Sequence, residues 1–250
     1  MLTPERHRLI LDLLKQQEIV KIQELTDITN SSESTIRRDL IQLEQSKFLK
    51  RVHGGAARLQ GKLSEPSIVE KSSKNLQEKT EIAEFAASFV EDGDCIYLDA
   101  GTTVYQMISY LAQKEIVVVT NGLHYLDSLL EHGIKTYLVG GEIKYKTKAM
   151  IGRGALISLE NYRFDKCFMG VNGIHTTYGY TTPDPEEALI KQTAIRLSRE
   201  AYVLADQSKF NEISFAKIVD LNEATILTSK AEADILKSFE TETSIKVVTQ

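Results

Sequence analysis

Along the first sixty residues the apolar positions recur at helical spacing in three short blocks. Leu9, Ile10, Leu13 and Leu14 stand at i, i+1, i+4 and i+5 behind Pro4, a residue suited to a first helical turn. Ile22, Leu25 and Ile28 follow at intervals of three, and Ile36, Leu40 and Leu43 repeat at i, i+4 and i+7. Asn30, Ser31 and Ser32 separate the second block from the third. They are capping types, since a serine hydroxyl accepts from the free N–H groups that open a helix. The third helix then buries its stripe and turns Ser34, Arg37, Arg38 and Ile41 away from it or to its flank. After it the period changes. The stretch KFLKRVHGGAARL, short apolar and basic runs broken by two glycines, predicts a two-stranded hairpin, a wing.

From residue 77 the pattern is helical segments alternating with short β-branched runs: CIYLD, IVVVT, KTYLVG, KCFMGV, AYVLAD, IVDL and IKVVTQ. Runs of this kind, apolar on both faces, predict strands of an open, mostly parallel α/β sheet. Between the two patterns lies a polar stretch with Pro66 and several serines, the composition of a connection. The expected organisation is a winged helix-turn-helix over 1–58, a linker over 59–76 and an α/β domain over 77–250.

Composition adds modestly to this. With 250 residues, 42% of them hydrophobic, the chain has enough apolar side chains for a sizeable core, and no run reaches the length of a membrane span. No secretory leader shows at the start, so the expected location is cytoplasmic, without membrane partners. Cys95 and Cys167 lie inside apolar runs and read as buried free thiols. Residues 1–60 hold ten Lys and Arg against eight Asp and Glu, a balance of +2, which leaves −7 for the remainder of a chain whose total is −5. A basic head on an acidic body permits nucleic-acid binding by the head without establishing it.

Two short helices joined by a polar turn, the second entered through serines and exposing adjacent arginines, suit insertion of that second helix into a major groove. Ser34, Thr35, Arg37 and Arg38 lie in its first turns, with Ser32 at its entry. Arginine bonds guanine bidentately or holds a phosphate, and serine or threonine does either more weakly. Lys50, Arg51, His53 and Arg58 of the wing would hold phosphates. The alternative is a solvated face on which the arginines pair with Glu33 or Asp39. Three ordered helices, a capped turn and a basic wing weigh against it.

In the body, candidate chemistry gathers at strand ends, where open α/β sheets bind ligands. Asp99 is followed by Gly101, Thr102 and Thr103, a loop offering hydroxyls and N–H groups to an anion. Thr120 and Asn121 end the next run, and Gly140 and Gly141 the one after. Gly170 and Asn172, then Glu187 and Lys191 four apart on a helix, then Asp206 and Lys209 complete the set. Lysines would neutralise a phosphate while carboxylates and amides fix hydroxyls, which together suggests a phosphorylated polyol. Each motif alone is more often an ordinary turn, strand exit or surface pair. Their recurrence at successive strand ends supports a site.

The stretches STIRRDLIQLE and LKRVHGGA resemble the DeoR/GlpR family of bacterial transcriptional regulators. The resemblance implies that residues 20–39 form the helix-turn-helix proper, with Lys47 standing where a glycine is usual. It extends over nearly the whole chain, because the body is similar to that family's sugar-phosphate-sensing domain, itself similar in fold to ribose-5-phosphate isomerase. Gln207 replaces the histidine of many relatives. The segments EPSIVEKSSKNLQEK, IYLDAGTT, NYRFDKCFMGVNGIH and TTPDPEEA look like the fructose-operon repressors of Gram-positive bacteria, which implies fructose 1-phosphate as effector. Operator DNA, a sugar phosphate and a second copy of the chain, in a dimer or tetramer, are then the expected partners, and no cofactor is expected.

The rival class is a sugar-phosphate isomerase in which Asp99, Glu187 or Asp206 acts as base. A covalently attached DNA-reading head is superfluous to such an enzyme, so a non-catalytic regulator is the expectation. The five histidines show no ligand spacing with one another or with the cysteines, and no metal is expected.

Overall fold

Thr3–Gln16 (α1), Ile22–Thr29 (α2) and Glu33–Gln45 (α3) are the three helices of the head in a computed structural model that describes residues 2–17, 19–46, 48–52, 54–58, 65–229 and 233–248. Asn30, left-handed at φ 47°, ends α2, and Ser32 caps α3 by accepting from Thr35 N at 3.3 Å. Ile10, Leu14, Leu25, Ile36, Leu40 and Leu43 meet in the core. Ile28 departs from the expected stripe and is exposed. The buried face of α2 runs through Ile22, Leu25 and Thr29, and 3.6 residues per turn carry position 28 off it.

The wing pairs Leu49–Val52 (β2) with Gly55–Arg58 (β3), and a strand unforeseen in the sequence, Ile19–Lys21 (β1), adds to β3 on its other side. Gly54 turns the hairpin at φ 78°, and a Cβ on Gly55 would lie 2.2 Å from Val20 O, so both glycines are required. Lys47, His53 and the side chain of Arg58 lie outside the described residues.

Two compact units divide the chain, residues 1–61 and 62–250. In the second, Ile68–Ser73 (α4) and Leu76–Ala87 (α5) precede Cys95–Leu98 (β4), Thr102–Tyr105 (α6), Ile108–Leu111 (α7), Val117–Thr120 (β5), Leu126–Glu131 (α8) and Lys135–Leu138 (β6). Glu142–Lys144 (β7) and Ala149–Ile151 (β8) form a hairpin before Gly152–Leu159 (α9) and Phe164–Gly170 (β9). Gly173–His175 (β10), Gly179–Thr182 (β11), Pro185–Arg196 (α10), Ser198–Leu204 (β12), Ala216–Lys217 (β13), Thr225–Thr228 (β14), Ala233–Phe239 (α11) and Ile245–Val247 (β15) complete it.

Seven of these strands form one parallel sheet in the order β15-β14-β12-β9-β4-β5-β6. Alternate residues serve opposite faces. Ile96, Leu98 and Val118 pack under α5 to α8, whereas Tyr97, Val119 and Met169 pack under α9 and α10. The first strand, β4, has β5 on one side and β9 on the other. The strand order therefore reverses between β4 and β9, the position at which such sheets open a crevice.

Two expectations need correcting here. The run IVDL is no strand: Ile218 and Val219 are buried beyond the short β13, and the sheet strand is instead TILT, β14. Residues 65–76, expected within a linker, belong to the second unit, where α4 and the buried Glu65 pack against it.

Candidate functional site

On the head, Ser34, Arg37 and Arg38 are exposed and Thr35 is half-buried, all on the opening turns of α3. The Ser32 hydroxyl is occupied as a cap and also lies 2.9 Å from Thr35 Oγ1. Arg37 pairs with Glu33 one turn earlier, its Nε donating to Oε1 at 2.9 Å. The neighbouring Asp39 faces the other way, buried against Arg6 and His7. Lys50 and Arg51 are exposed on the wing, and Arg51 donates to Glu44 Oε2 at 2.7 Å. Backbone and side chain of Arg51 together hold the Glu44 carboxyl below the usual carboxylate range against the effect of burial. Wing and the last turn of α3 are thereby joined, at the opposite end of that helix from Arg37 and Arg38.

In the second unit a cleft, open to solvent at its mouth, lies at the β4/β9 reversal. Asp99, leaving β4, is 1% exposed. Its Oδ2 accepts from Gly170 N at 3.0 Å and pairs with Lys191 of α10, so one carboxylate spans both strands and the helix. Pro185 and the Asp184 cap, which accepts from Glu186 N at 2.9 Å, start α10 in the register that points Glu187 and Lys191 inward. Glu187 accepts from Thr147 Oγ1 at 2.7 Å and lies 3.2 Å from Lys144 Nζ. Asn121 accepts from Ala100 N at 3.0 Å, and the buried Tyr125 hydroxyl lies 2.6 Å from Gly101 O, so the loop after β4 is held on two sides.

Asp99, Gly101, Thr102, Thr103, Asn121, Gly170, Asn172, Glu187, Lys191 and Lys209 all line this cleft. Four expected members do not. Thr120 is fully buried, donating to Leu98 O at 2.7 Å and accepting from Gly122 N at 2.9 Å, which commits its hydroxyl to the turn. Gly140 and Gly141 follow β6, the sheet edge, and a Cβ on Gly141 would lie 2.6 Å from Ile151 O, so that glycine serves the approach of α9. Asp206 lies behind the wall, accepting from Ser208 N at 3.0 Å with Lys209 Nζ 4.0 Å away.

Lys71, Lys79 and Thr147 line the cleft without having been marked by the sequence. Lys79 Nζ donates to Lys71 O and, at 3.1 Å, to Thr102 Oγ1. Burial lowers the Lys79 ammonium to about 8, and the charges of Lys209, Lys71 and Lys74 add to this against the pull of Asp206. Lys209 is lowered likewise, first by burial and then by Lys71 and Lys74. Three lysines therefore gather at one end of the cleft, Lys71 lying 3.0 Å from Glu65 and Lys209 4.0 Å from Asp206, and carboxylates, amides and a hydroxyl complete the lining. Among the described residues no group of three or more His, Cys, Asp or Glu is arranged to hold a metal ion. No helix among them is long and apolar enough to cross a membrane. Both cysteines are free, and burial pushes the Cys167 thiol up to about 12.

A family model described as the DeoR-like helix-turn-helix domain matches residues 6–62, and one described as the DeoR C terminal sensor domain matches residues 74–230. The Bacillus subtilis (strain 168) protein named "Uncharacterized HTH-type transcriptional regulator FruR" is 55% identical over 249 residues, covering 99% of both chains. The HTH-type transcriptional repressor GlcR of the same organism is 32% identical over 228 residues, 91% of this chain and 88% of its own. The lactose phosphotransferase system repressor of Staphylococcus aureus (strain NCTC 8325 / PS 47) is 34% identical over 232 residues, covering 91% and 92%. A solved ribose 5-phosphate isomerase A from Methanocaldococcus jannaschii aligns over 55% of each chain at 18% identity and a TM-score of 0.42, a likeness too distant to carry an argument.

Proposed function

The chain belongs to the DeoR family of helix-turn-helix transcriptional regulators, and from that premise we propose that it represses a sugar-utilisation operon, with operator affinity set by a sugar phosphate in the cleft at the β4/β9 reversal. The observation that carries this reading is the polarity of the cleft. Lys71, Lys79 and Lys209 at one end suit a phosphoryl group, and Glu187, Asn121 and Asn172 towards the other suit sugar hydroxyls. Fructose 1-phosphate is the preferred effector. The 55% identical relative carries the name FruR, and other relatives are named as repressors of carbohydrate systems.

In the head, the opening turns of α3 read base edges through Ser34, Thr35, Arg37 and Arg38, while Lys50 and Arg51 hold phosphates. One small head makes too few contacts for tight operator binding at cellular salt, so the working form is a homo-oligomer, a dimer or tetramer. Control is a coupling between two sites, typically about 1–3 kcal/mol or roughly 5- to 150-fold in DNA affinity. Gel-shift titration at fixed salt with fructose 1-phosphate and competing sugar phosphates tests the reading. A several-fold change in operator affinity with fructose 1-phosphate is expected, and operator affinity indifferent to every sugar phosphate overturns it.

A further inference from the structure

The outward row of α3 runs Ser34, Arg37, Arg38 and Ile41, at i, i+3, i+4 and i+7, opposite the buried Ile36, Leu40 and Leu43. Three of the four are polar and exposed, as a face that meets DNA requires. The fourth is an isoleucine, 38% exposed and outside the apolar cluster that closes the head. Local preference does not account for it, because a β-branched residue is a poorer helix former than the exposed Gln42 and Gln45 of the same helix.

Single exposed apolar side chains are ordinary on a protein surface, and Leu2, Ile19, Ile28 and Phe48 are others in this head. Position distinguishes Ile41. Those four belong to other elements, whereas Ile41 continues the row of the two arginines. Three and four residues along a helix are about 4.5 and 6 Å of rise, against about 3.4 Å per base along a DNA strand. With α3 in the groove, the isoleucine therefore meets the bases about one or two steps beyond those reached by Arg37 and Arg38.

What an isoleucine can recognise there is narrow. It has no donor or acceptor, so a base edge offering only hydrogen-bonding groups would be desolvated against it without compensation. The 5-methyl of thymine is the apolar group that the major groove presents. Within a helix the branched side chain holds essentially one χ1 rotamer, so its methyl groups are already in place and ordering them on contact costs little.

We propose that Ile41 reads the 5-methyl group of a thymine in each operator half-site, about one or two base pairs from the base contacted by Arg37 or Arg38. This rests on the reading that α3 enters the major groove, and it adds a base identity that hydrogen bonds from the arginines do not supply.

The test takes the duplex that the full chain selects from a randomised pool and replaces its thymines one at a time by deoxyuridine. That change removes the 5-methyl and leaves every hydrogen-bonding group in place. In gel shifts at fixed salt, one thymine per half-site is expected to cost the parent about fourfold when demethylated, the value of burying one methyl-sized group. Ile41→Ala, which keeps a strong helix former in α3, should bind the thymine duplex about fourfold more weakly and no longer tell thymine from uracil at that position. Ile28→Ala, which removes an exposed apolar side chain from α2 instead, should discriminate as the parent does. A parent indifferent to every replacement, an Ile41→Ala chain that still discriminates, or an Ile28→Ala chain that does not, overturns the inference and leaves the arginine reading standing. A parent that selects no sequence from the pool overturns the groove reading itself. The uracil scan of the parent needs no variant, so a misfolded substitution does not blunt the test.

Discussion

Arg6 Nε donates to Asp39 Oδ2 at 2.7 Å and Arg6 Nη2 to Asp39 Oδ1 at 3.1 Å, so a two-point ion pair ties α1 to α3 inside the head. Hydrogen bonding and the charge of Asp39 raise the guanidinium above its ordinary value despite desolvation. The pair also splits the Arg37-Arg38-Asp39 triplet, because the carboxylate turns inward as the arginines turn out. Asp39→Ala would remove the two-point carboxylate partner of a buried guanidinium, and in so small a head the lower end of the usual cost applies, about 3 kcal/mol. Urea unfolding monitored by exchange in α1 and α3 checks this. Replacing both partners by apolar residues should recover most of the loss, and full stability in the single variant would contradict the assignment.

Arg37 and Lys50 should separate by salt and by sequence. Arg37→Ala is expected to cost about 1–3 kcal/mol on operator and much less on random DNA, because a base contact carries sequence information. Lys50→Ala should weaken both and lower the salt slope by about 1. Filter binding on both DNAs across a salt series makes the comparison. Equal losses in the two variants would exchange their roles.

Asp99 and Lys191 should act as a unit in effector binding. Lys191→Met leaves the Asp99 carboxylate buried with Gly170 N as a remaining donor, and fructose 1-phosphate affinity should fall about tenfold or more. Operator binding without effector should stay near the parent's, as neither residue belongs to the head. Calorimetry and gel shift on the same preparation decide it, and unchanged effector affinity would remove the pair from the site.

The Lys79 ammonium gives effector binding an alkaline limit. Held at about 8 rather than 10.5, with Lys71, Lys74, Lys209 and Asp206 as its charged surroundings, it loses its proton as pH rises through that value. Affinity for fructose 1-phosphate should therefore weaken between pH 7 and 9 and level off above. For the empty protein the sign is opposite: from about 8 to 10.5 the unfolded chain holds a proton that the folded chain has lost, so stability from this group rises with pH. A Lys79→Met variant should show neither trend in calorimetry or urea midpoints, and a parent whose affinity is flat to pH 9 would sink the assignment.

His124 sets an acid limit. Burial, with Lys148 nearby, lowers its imidazolium from 6.5 to about 4, between the rings of Tyr105 and Tyr125. As pH falls from 6.5 towards 4 the unfolded chain takes up a proton that the folded chain refuses, so stability falls by up to about 1.4 kcal/mol per pH unit. His124→Leu should flatten that slope between pH 7 and 5 in urea midpoints. Parallel profiles for parent and variant would show that the ring is charged in the fold.

The elements were legible wherever burial wrote a period into the chain. The stripes of α1 and α3 and strands such as β4 and β5 follow directly from Ile36, Leu40 and Leu43 or from Ile96, Tyr97 and Leu98. Local hydrogen bonding decided what periodicity did not. The three residues of β1 are too few to show alternation, and Ile28 turned outward because one helical turn is not three residues. In the cleft, motifs at strand ends pointed to Asp99, Asn121, Glu187 and Lys191, but which strand ends adjoin depends on sheet order. That is why Gly140 and Gly141, on the edge strand's exit, were grouped with a crevice two strands away. Lys71 and Lys79 precede every strand of the sheet, so although their stretch EPSIVEKSSKNLQEK carried the family resemblance, no strand end assigned them to the site.

Gly101 and Gly170 make the floor of the cleft from bare backbone. A Cβ on Gly101 would lie 3.4 Å from Gly170 Cα, and one on Gly170 would lie 3.5 Å from Asp99 Oδ2 and from Gly101 Cα, ordinary contact distances that the fold accommodates. A methyl at either position therefore spends space in the cleft rather than stability. In genetic terms, alanine alleles at these two codons should yield regulators that still occupy their operators but no longer hear the metabolite, mapping induction-deaf mutations to a pair of glycines 69 positions apart in the chain and neighbours in space.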